Sequence, residues 1–295
     1  MPEDSILCSV CFLTYNHEGY VEQALRSAAE QEVDFGYEVV VGDDCSTDET
    51  AKIVRRVAAE FPDRIRVLER PKNLGARLNG IDIRENCRGK YIAWLEGDDY
   101  WTDLHKIQKQ VTYLESHPEA PACFHPSDRV NSLTGQTEEP WPRGENLRPI
   151  GMSDLLVQNL IQLCSVVARA SHIRPFPDWM LPHSPGDWGI FLHLSQFGDI
   201  GFLPDHMSMY RIHEGGTWSQ QDFDKRVRTQ EKMLCAFLEN ADFSRVGEQC
   251  HDIAHILRKS YSDAVAKAAY RRLFLQNWKP LVRSGERITH FRKIL

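Results

Sequence analysis

Through the first hundred residues, short apolar runs alternate with helix-period segments, and the runs end in polar clusters. This alternation requires a mostly parallel sheet with crossover helices, because parallel neighbours can be joined only by a long connection that returns to the same sheet end. Ile6 to Leu13 reads as a first strand, followed from Glu18 by a helix with Tyr20, Ala24, Leu25 and Ala28 on one face. Tyr37 to Gly42 reads as a second strand. Ser46-Thr47-Asp48-Glu49 then has capping-box spacing ahead of a stripe of Ile53, Val54, Val57, Ala58 and Phe61. A third strand over Ile65 to Leu68, a short helix near Leu78 to Glu85 and a fourth strand over Tyr91 to Leu95 continue the pattern.

The fourth run leads directly into Glu96-Gly97-Asp98-Asp99-Tyr100-Trp101. Open α/β sheets bind ligands at the carboxyl ends of their strands, so this acidic cluster falls where a ligand is expected. Three neighbouring carboxylates repel one another unless a positive group sits among them, and a divalent cation carrying a diphosphate meets that need. Thr14-Tyr15-Asn16-His17 closes the first strand and Gly42-Asp43-Asp44-Cys45-Ser46 the second, so three polar clusters share one sheet edge. An isolated Asp-Asp is commonly turn chemistry, but three clusters at successive strand ends point to a cleft.

Further along, Lys106 to Glu115 reads as helix, and 131–149 as a surface excursion rich in Gly, Pro, Glu and Arg. Met152 to Leu160 reads as helix, Leu163 to Val167 as strand, and Trp188 to Phe197 as helix. Ile200 to Leu203 and Met207 to Arg211 read as strands, and everything from Gln221 onward as helix. The last stretch, Lys267 to Leu295, carries eight Lys or Arg against the single acid Glu286, interleaved with Tyr270, Phe274, Trp278 and Phe291. Two readings stay open for it: a solvated helix face, or a patch resting on an anionic membrane surface.

A chain of 295 residues at 42% hydrophobic content can bury a large core. No apolar stretch approaches the roughly 20 residues that span a bilayer, and the amino terminus lacks the basic and apolar regions of a signal peptide. A cytoplasmic protein is expected. Its formal charge of −7 argues against nucleic acid as a partner. The eight cysteines are scattered, several within apolar runs, which suits reduced thiols; Cys8-x-x-Cys11 falls inside a strand and has no second pair.

The marks Ser9 to His17, Gly42 to Asp48, Asn73-Leu74-Gly75, Leu95 to Trp101, Gly186-Asp187-Trp188 and Tyr210 to Gly216 occur in an order that resembles family 2 glycosyltransferases. The resemblance runs from Ser9 to about Ser219 and implies a GT-A fold, an α/β architecture with a mostly parallel central sheet flanked by helices. It implies a catalytic domain over 1–219, with nucleotide-sugar binding in about 1–105 and the acceptor half in 106–219. A carboxyl-terminal helical region over 220–295 follows, whose helices offer a surface for a homodimer.

The resemblance implies that Thr14, Tyr15 and Asn16 line the nucleotide base and that Asp43, together with Asp44, accepts from base or ribose. Arg77 is placed to reach the diphosphate. Glu96-Gly97-Asp98 stands at the family's Asp-x-Asp position, with glutamate replacing the first aspartate. Asp98 is then the direct ligand of Mg²⁺ or Mn²⁺, Asp99 joins it or holds a coordinated water, and His213 is the late metal or diphosphate ligand. Gly215 and Gly216 allow a closing loop, with Trp218 covering the donor.

Asp187 is implied as the base that deprotonates an acceptor hydroxyl, with Glu214 in reserve. The activity implied is inverting transfer of a sugar from a nucleoside diphosphate sugar, UDP or dTDP favoured, to a saccharide or lipid-linked saccharide. Bacterial surface glycan assembly is the expected setting. A sugar-nucleotide pyrophosphorylase would need a Gly-rich phosphate loop with basic residues after the first strand, and Thr14-Tyr15-Asn16-His17 is not one. A non-catalytic nucleotide-sugar-binding module is the other alternative, opposed by the joint presence of Asp98, Asp187 and His213.

Overall fold

A computed structural model describes residues 6–144, 148–181, 186–216 and 223–242. The basic stretch Lys267 to Leu295, the helical pattern expected after residue 242, and Trp218 lie outside the described residues. The chain divides into two compact units. One takes the described residues of Met1–Ile150, Leu160–Pro177 and Phe197–Gln220. The other takes those of Gly151–Asn159, Asp178–Gln196 and Gln221–Leu295.

In the first unit, β1 (Ile6–Thr14), α1 (Val21–Ala29), β2 (Gly36–Asp43), α2 (Thr50–Glu60), β3 (Ile65–Val67), α3 (Ala76–Asn86) and β4 (Tyr91–Glu96) follow the expected alternation. β5 (Tyr100–Trp101), α4 (Lys106–Ser116), β6 (Ala122–Phe124), β7 (Ser127–Asn131) and β8 (Thr137–Trp141) come next. In the second unit α5 (Met152–Val157) ends three residues, less than one turn, short of the expected Leu160, with Gln158 at its C-cap. Leu163–Ser165 is a 3-10 turn and the strand begins later, as β9 (Val167–Arg169). α6 (Gly186–Leu194), β10 (Gly201–Phe202), β11 (Ser208–Ile212) and α7 (Phe223–Asn240) complete the order.

The seven-stranded sheet runs β10-β6-β9-β4-β1-β2-β3. β3, β2, β1 and β4 are mutually parallel, and β9 is antiparallel to both β4 and β6. From β1 the chain builds outward to β2 and β3, then crosses back to β4 on the other side of β1. That reversal is the topological switch point, where the carboxyl ends of β1 and β4 leave an open crevice.

Alternate residues of β1 serve opposite layers. Cys8, Val10 and Phe12 join Val21, Ala24 and Leu25 of α1, Val54 and Val57 of α2, and Ile107, Val111 and Leu114 of α4 in one buried cluster. Each Val, Leu, Ile or Phe among them contributes about 1.5–3 kcal/mol on leaving water, and together they fix the strand ends in place. On the other face α3 lies so close that a Cβ at Gly42 would sit 2.5 Å from Asn79 Oδ1 and from Ile83 Cδ1.

A second sheet, β5-β11-β7-β8, lies beyond the acidic cluster. β11 pairs antiparallel with β5 (Met209 with Tyr100, Ser208 with Trp101) and parallel with β7. The segment read as a surface excursion over 131–149 is exposed over 133–139, but it is not without regular structure: β8 within it pairs antiparallel with β7. β8 is polar and largely exposed, Thr-Glu-Glu-Pro-Trp, so it has no alternation to read.

The capping box expected at Ser46 does not form. Helix α2 starts later, with Glu49 at its N-cap and no side-chain cap bond, because Ser46 is engaged with the strand ends instead. Among the described residues no helix is long and apolar enough to cross a membrane.

Candidate active site

The register of the parallel strands brings three polar positions level. Thr14 pairs with Asp43, and its neighbour Leu13 pairs with Glu96. The loops then close over the end of β1: Gly97 N donates to Leu13 O at 2.7 Å, and Asp44 N to Thr14 O at 3.0 Å. A Cβ on Gly97 would lie 2.4 Å from Thr14 Oγ1 and 2.8 Å from His17 Nδ1. Only glycine lets the acidic loop pass this close.

Glu96, Asp98 and Asp99 each offer a carboxylate oxygen, all within 4.8 Å of one another. Hard oxygen donors gathered this way fit Mg²⁺ or Mn²⁺, which add phosphate oxygens and waters to a few carboxylates. The three groups differ. Asp99 is 1% exposed and its Oδ1 accepts from Arg211 N at 2.9 Å. Burial, then the charge of Asp98, pushes its carboxyl well above the usual carboxylate range, so it braces the loop from beneath.

Asp98 faces the crevice. Its Oδ2 lies 3.0 Å from His213 Nε2 and 3.7 Å from His17 Nε2. Burial alone would raise the Asp98 carboxyl, but the His213 hydrogen bond and the His17 and His213 charges outweigh it and hold the group low. His17 in turn is pushed down, chiefly by burial. The Tyr210 phenol is pushed up by burial and by Asp99, Glu96 and Asp98, which keeps it a neutral hydroxyl beside the acidic cluster.

The residues expected at the nucleotide divide into distinct tasks. Asp43 receives Ser46 N at 3.2 Å and the Ser46 hydroxyl, and an ionised carboxylate still has about two acceptor positions left after two bonds. Beside it opens a cavity of 250 Å³ lined by Cys45, Ser46, Val54, Val67, Leu68 and Arg70. Asp44 is 2% exposed and both oxygens are occupied, by Leu74 N at 2.7 Å and Gly75 N at 2.8 Å. Its carboxylate therefore shapes the Asn73-Leu74-Gly75 turn.

Asn16, at a φ of 55°, ties the two strand ends together: its Oδ1 accepts from Thr47 N at 2.8 Å while its own N donates to Ser46 Oγ at 2.9 Å. Tyr15 is 43% exposed and Arg77 is exposed on the first turn of α3. Thr14 Oγ1 lies 3.3 Å from His17 Nδ1. Glu214 is exposed, just past His213.

Asp187 belongs to the second unit, in the first turn of α6. Asn159 Nδ2 donates to its Oδ2 at 3.1 Å, and burial pushes its carboxyl up from the ordinary value. Trp188 beside it is buried and donates through Nε1 to Leu155 O at 2.8 Å, which anchors α6 on α5.

Sequence reasoning passed over His17, Gln23, Ser46 and Arg211 as site residues. Arg211 Nη1 donates to Asp98 O at 2.6 Å, its guanidinium also bonds Gln23 Oε1, and it stacks 4.3 Å from the Tyr100 ring. The signal was adjacency: Arg211 stands two residues before His213, and His17 directly follows Asn16.

Comparison with known proteins bears on the family and the fold. The family model described as glycosyl transferase family 2 matches residues 9–212. An uncharacterized protein of Mycobacterium tuberculosis H37Rv is 38% identical over 218 residues, which is 74% of this chain and 62% of that protein, so the match spans less than two thirds of the relative. Staphylococcus aureus TarS 1–349 in complex with UDP-GlcNAc superposes with a TM-score of 0.63 at 19% identity, covering 96% of this chain and 77% of the other. The mannosyltransferase PcManGT of Pyrobaculum calidifontis, in complex with GDP-Man and Mn²⁺, gives 0.62 at 16% identity, covering 98% and 80%. These likenesses identify the fold as GT-A, with a mixed but mostly parallel sheet. The chain belongs to glycosyl transferase family 2.

Proposed function

We propose that this protein is a metal-dependent inverting glycosyltransferase that moves a sugar from a nucleoside diphosphate sugar to an acceptor hydroxyl. The observation that carries the reading is the meeting of Asp98 with His213, 115 residues further along the chain, on the sheet edge that also holds Thr14 and Asp43. The base sits in the cavity beside Asp43, where a carboxylate with acceptor capacity can take a ring N–H and the walls of Val54, Val67 and Leu68 are apolar. A pyrimidine is favoured, in keeping with the UDP-GlcNAc bound by TarS.

Glu96, Asp98 and His213 would hold Mg²⁺ or Mn²⁺. When bound, such a cation neutralises charge that develops on the departing diphosphate. Asp187 takes the proton of the acceptor hydroxyl as its oxygen bonds to the anomeric carbon and the bond from that carbon to the diphosphate oxygen breaks. One displacement inverts the configuration and leaves no covalent enzyme intermediate. A carboxyl raised by burial is a stronger base than an exposed one, which suits that step. The acceptor is a saccharide or lipid-linked saccharide of a bacterial surface glycan.

The test is release of nucleoside diphosphate from a panel of donors, with and without chelator, in the native protein and in Asp187→Asn. The expected result is turnover with UDP- or dTDP-sugars that stops with chelator and falls about 10²-fold or more in the variant, with donor affinity unchanged. Full turnover in Asp187→Asn moves the base to Glu214. Turnover that ignores chelator removes the metal from the reading.

A further inference from the structure

We infer that Asn159 is the positioning residue of Asp187: its side-chain amide fixes the carboxylate of the base in the orientation that receives the acceptor proton. The inference rests on the role of Asp187 proposed above and adds to it the residue on which that role depends. Asn159 Nδ2 donates to Asp187 Oδ2, 28 residues further along the chain, at 3.1 Å. Both residues belong to the second unit.

The fold brings them together at the joint between two helices. α5 stops at Val157, where Gln158 turns extended at φ −161° and ψ 159°, so Asn159 stands just beyond the helix end. The last carbonyls of a helix have no partner within it, and Leu155 O is met by Trp188 Nε1 at 2.8 Å. Trp188 is 1% exposed, and a Cβ on Gly189 would lie 3.0 Å from Met180 Cε, so the start of α6 is packed in place. What is left to set is the rotation of the Asp187 side chain about its own two torsions. The Asn159 bond sets it.

The chemistry of an amide suits this task. An ionised carboxylate only accepts, so the amide nitrogen is the end that faces it. A lysine or arginine here would hold the carboxylate as firmly, but its charge would pull the carboxyl down and weaken it as a base. A neutral amide orients without that loss, and burial, the larger effect, still pushes the carboxyl up. As the acceptor oxygen bonds to the anomeric carbon and the bond to the diphosphate breaks, the acceptor proton passes to a carboxylate already aimed at it. A misplacement of about 1 Å can cost about 10²-fold at such a step.

The test is a double-variant cycle on nucleoside diphosphate release from the panel of UDP- and dTDP-sugars, with kcat and donor KM read separately. Asn159→Ala is expected to lower kcat about tenfold or more with donor KM unchanged. In the Asp187→Asn background it should cost nothing further, because an amide that acts through the carboxylate has nothing left to orient. A merely structural residue would lower both backgrounds alike. Asn159→Asp has nearly the same shape, which covers the case in which Asn159→Ala does not fold. It loses the donor and sets two carboxylates together, so its kcat should fall at least as far. Native kcat in Asn159→Asp, or an equal loss from Asn159→Ala in both backgrounds, would overturn the inference and leave the base standing. Full turnover in Asp187→Asn, or a native protein that turns over no donor, would overturn the base and the inference with it.

Discussion

Arg211 holds Asp98 by its backbone: Nη1 donates to the Asp98 carbonyl at 2.6 Å, and Arg211 N donates to Asp99 Oδ1 at 2.9 Å. Strand β11 thus clamps the acidic loop through one residue, with Tyr100 and Tyr20 rings at 4.3 and 5.1 Å from the guanidinium. Lysine keeps the charge but not the planar fork. Arg211→Lys is expected to cost about 1.5–3 kcal/mol in stability and to weaken nucleotide binding with Mn²⁺, as measured by denaturant titration and calorimetry. Unchanged binding would mean that the clamp does not position Asp98.

Gly97→Ala tests the close passage of the acidic loop. The added methyl must displace Thr14 or the His17 ring, at 2.4 and 2.8 Å from the new Cβ. Overpacking of this kind costs about 1–3 kcal/mol. The expected outcome is a lower melting temperature with a larger loss of nucleotide affinity than stability alone explains. A variant with native melting and native affinity would show that the loop has room to spare.

Lys106 predicts a pH dependence. Its ammonium is wholly buried, donating to Gln110 Oε1 at 2.6 Å and lying 4.2 Å from the Trp101 ring, and burial pushes it down from 10.5 to about 8. Below pH 8 both folded and unfolded chains carry the proton, so the cost of burying the charge is present in full. Between pH 8 and 10.5 the unfolded chain keeps a proton that the folded one has lost, so stability rises with pH. Relative to Lys106→Met, the native protein should gain up to about 3 kcal/mol across that window. Parallel stability profiles for the two proteins would contradict this.

The parts of the fold that were legible are those where one pattern meets one environment. β1, β2 and β4 are apolar runs ending in polar residues, and their ends could be placed on one edge from strand order alone. β6 and β9 were missed or misplaced because three residues are too few to show a period, and β9 is an antiparallel intruder between β4 and β6. At the site, Asp98 and His213 could be named from their motifs, and their side chains lie 3.0 Å apart. Asp44 could not be told from Asp43: neighbours in sequence point to opposite tasks, one to the 250 Å³ cavity and one to the backbone of Leu74 and Gly75. Arg211 escaped notice because its importance lies in a carbonyl 113 residues away, a relation that only the pairing of β11 with β5 creates.

The most direct test of the account is thermal denaturation with UDP and Mn²⁺, in the native protein and in Asp98→Ala. Ligand that binds only the folded state raises the melting temperature by mass action. The account predicts a rise in the native protein that needs both UDP and Mn²⁺ and disappears with chelator and in Asp98→Ala. An equal rise in Asp98→Ala, or one that persists with chelator, would contradict it.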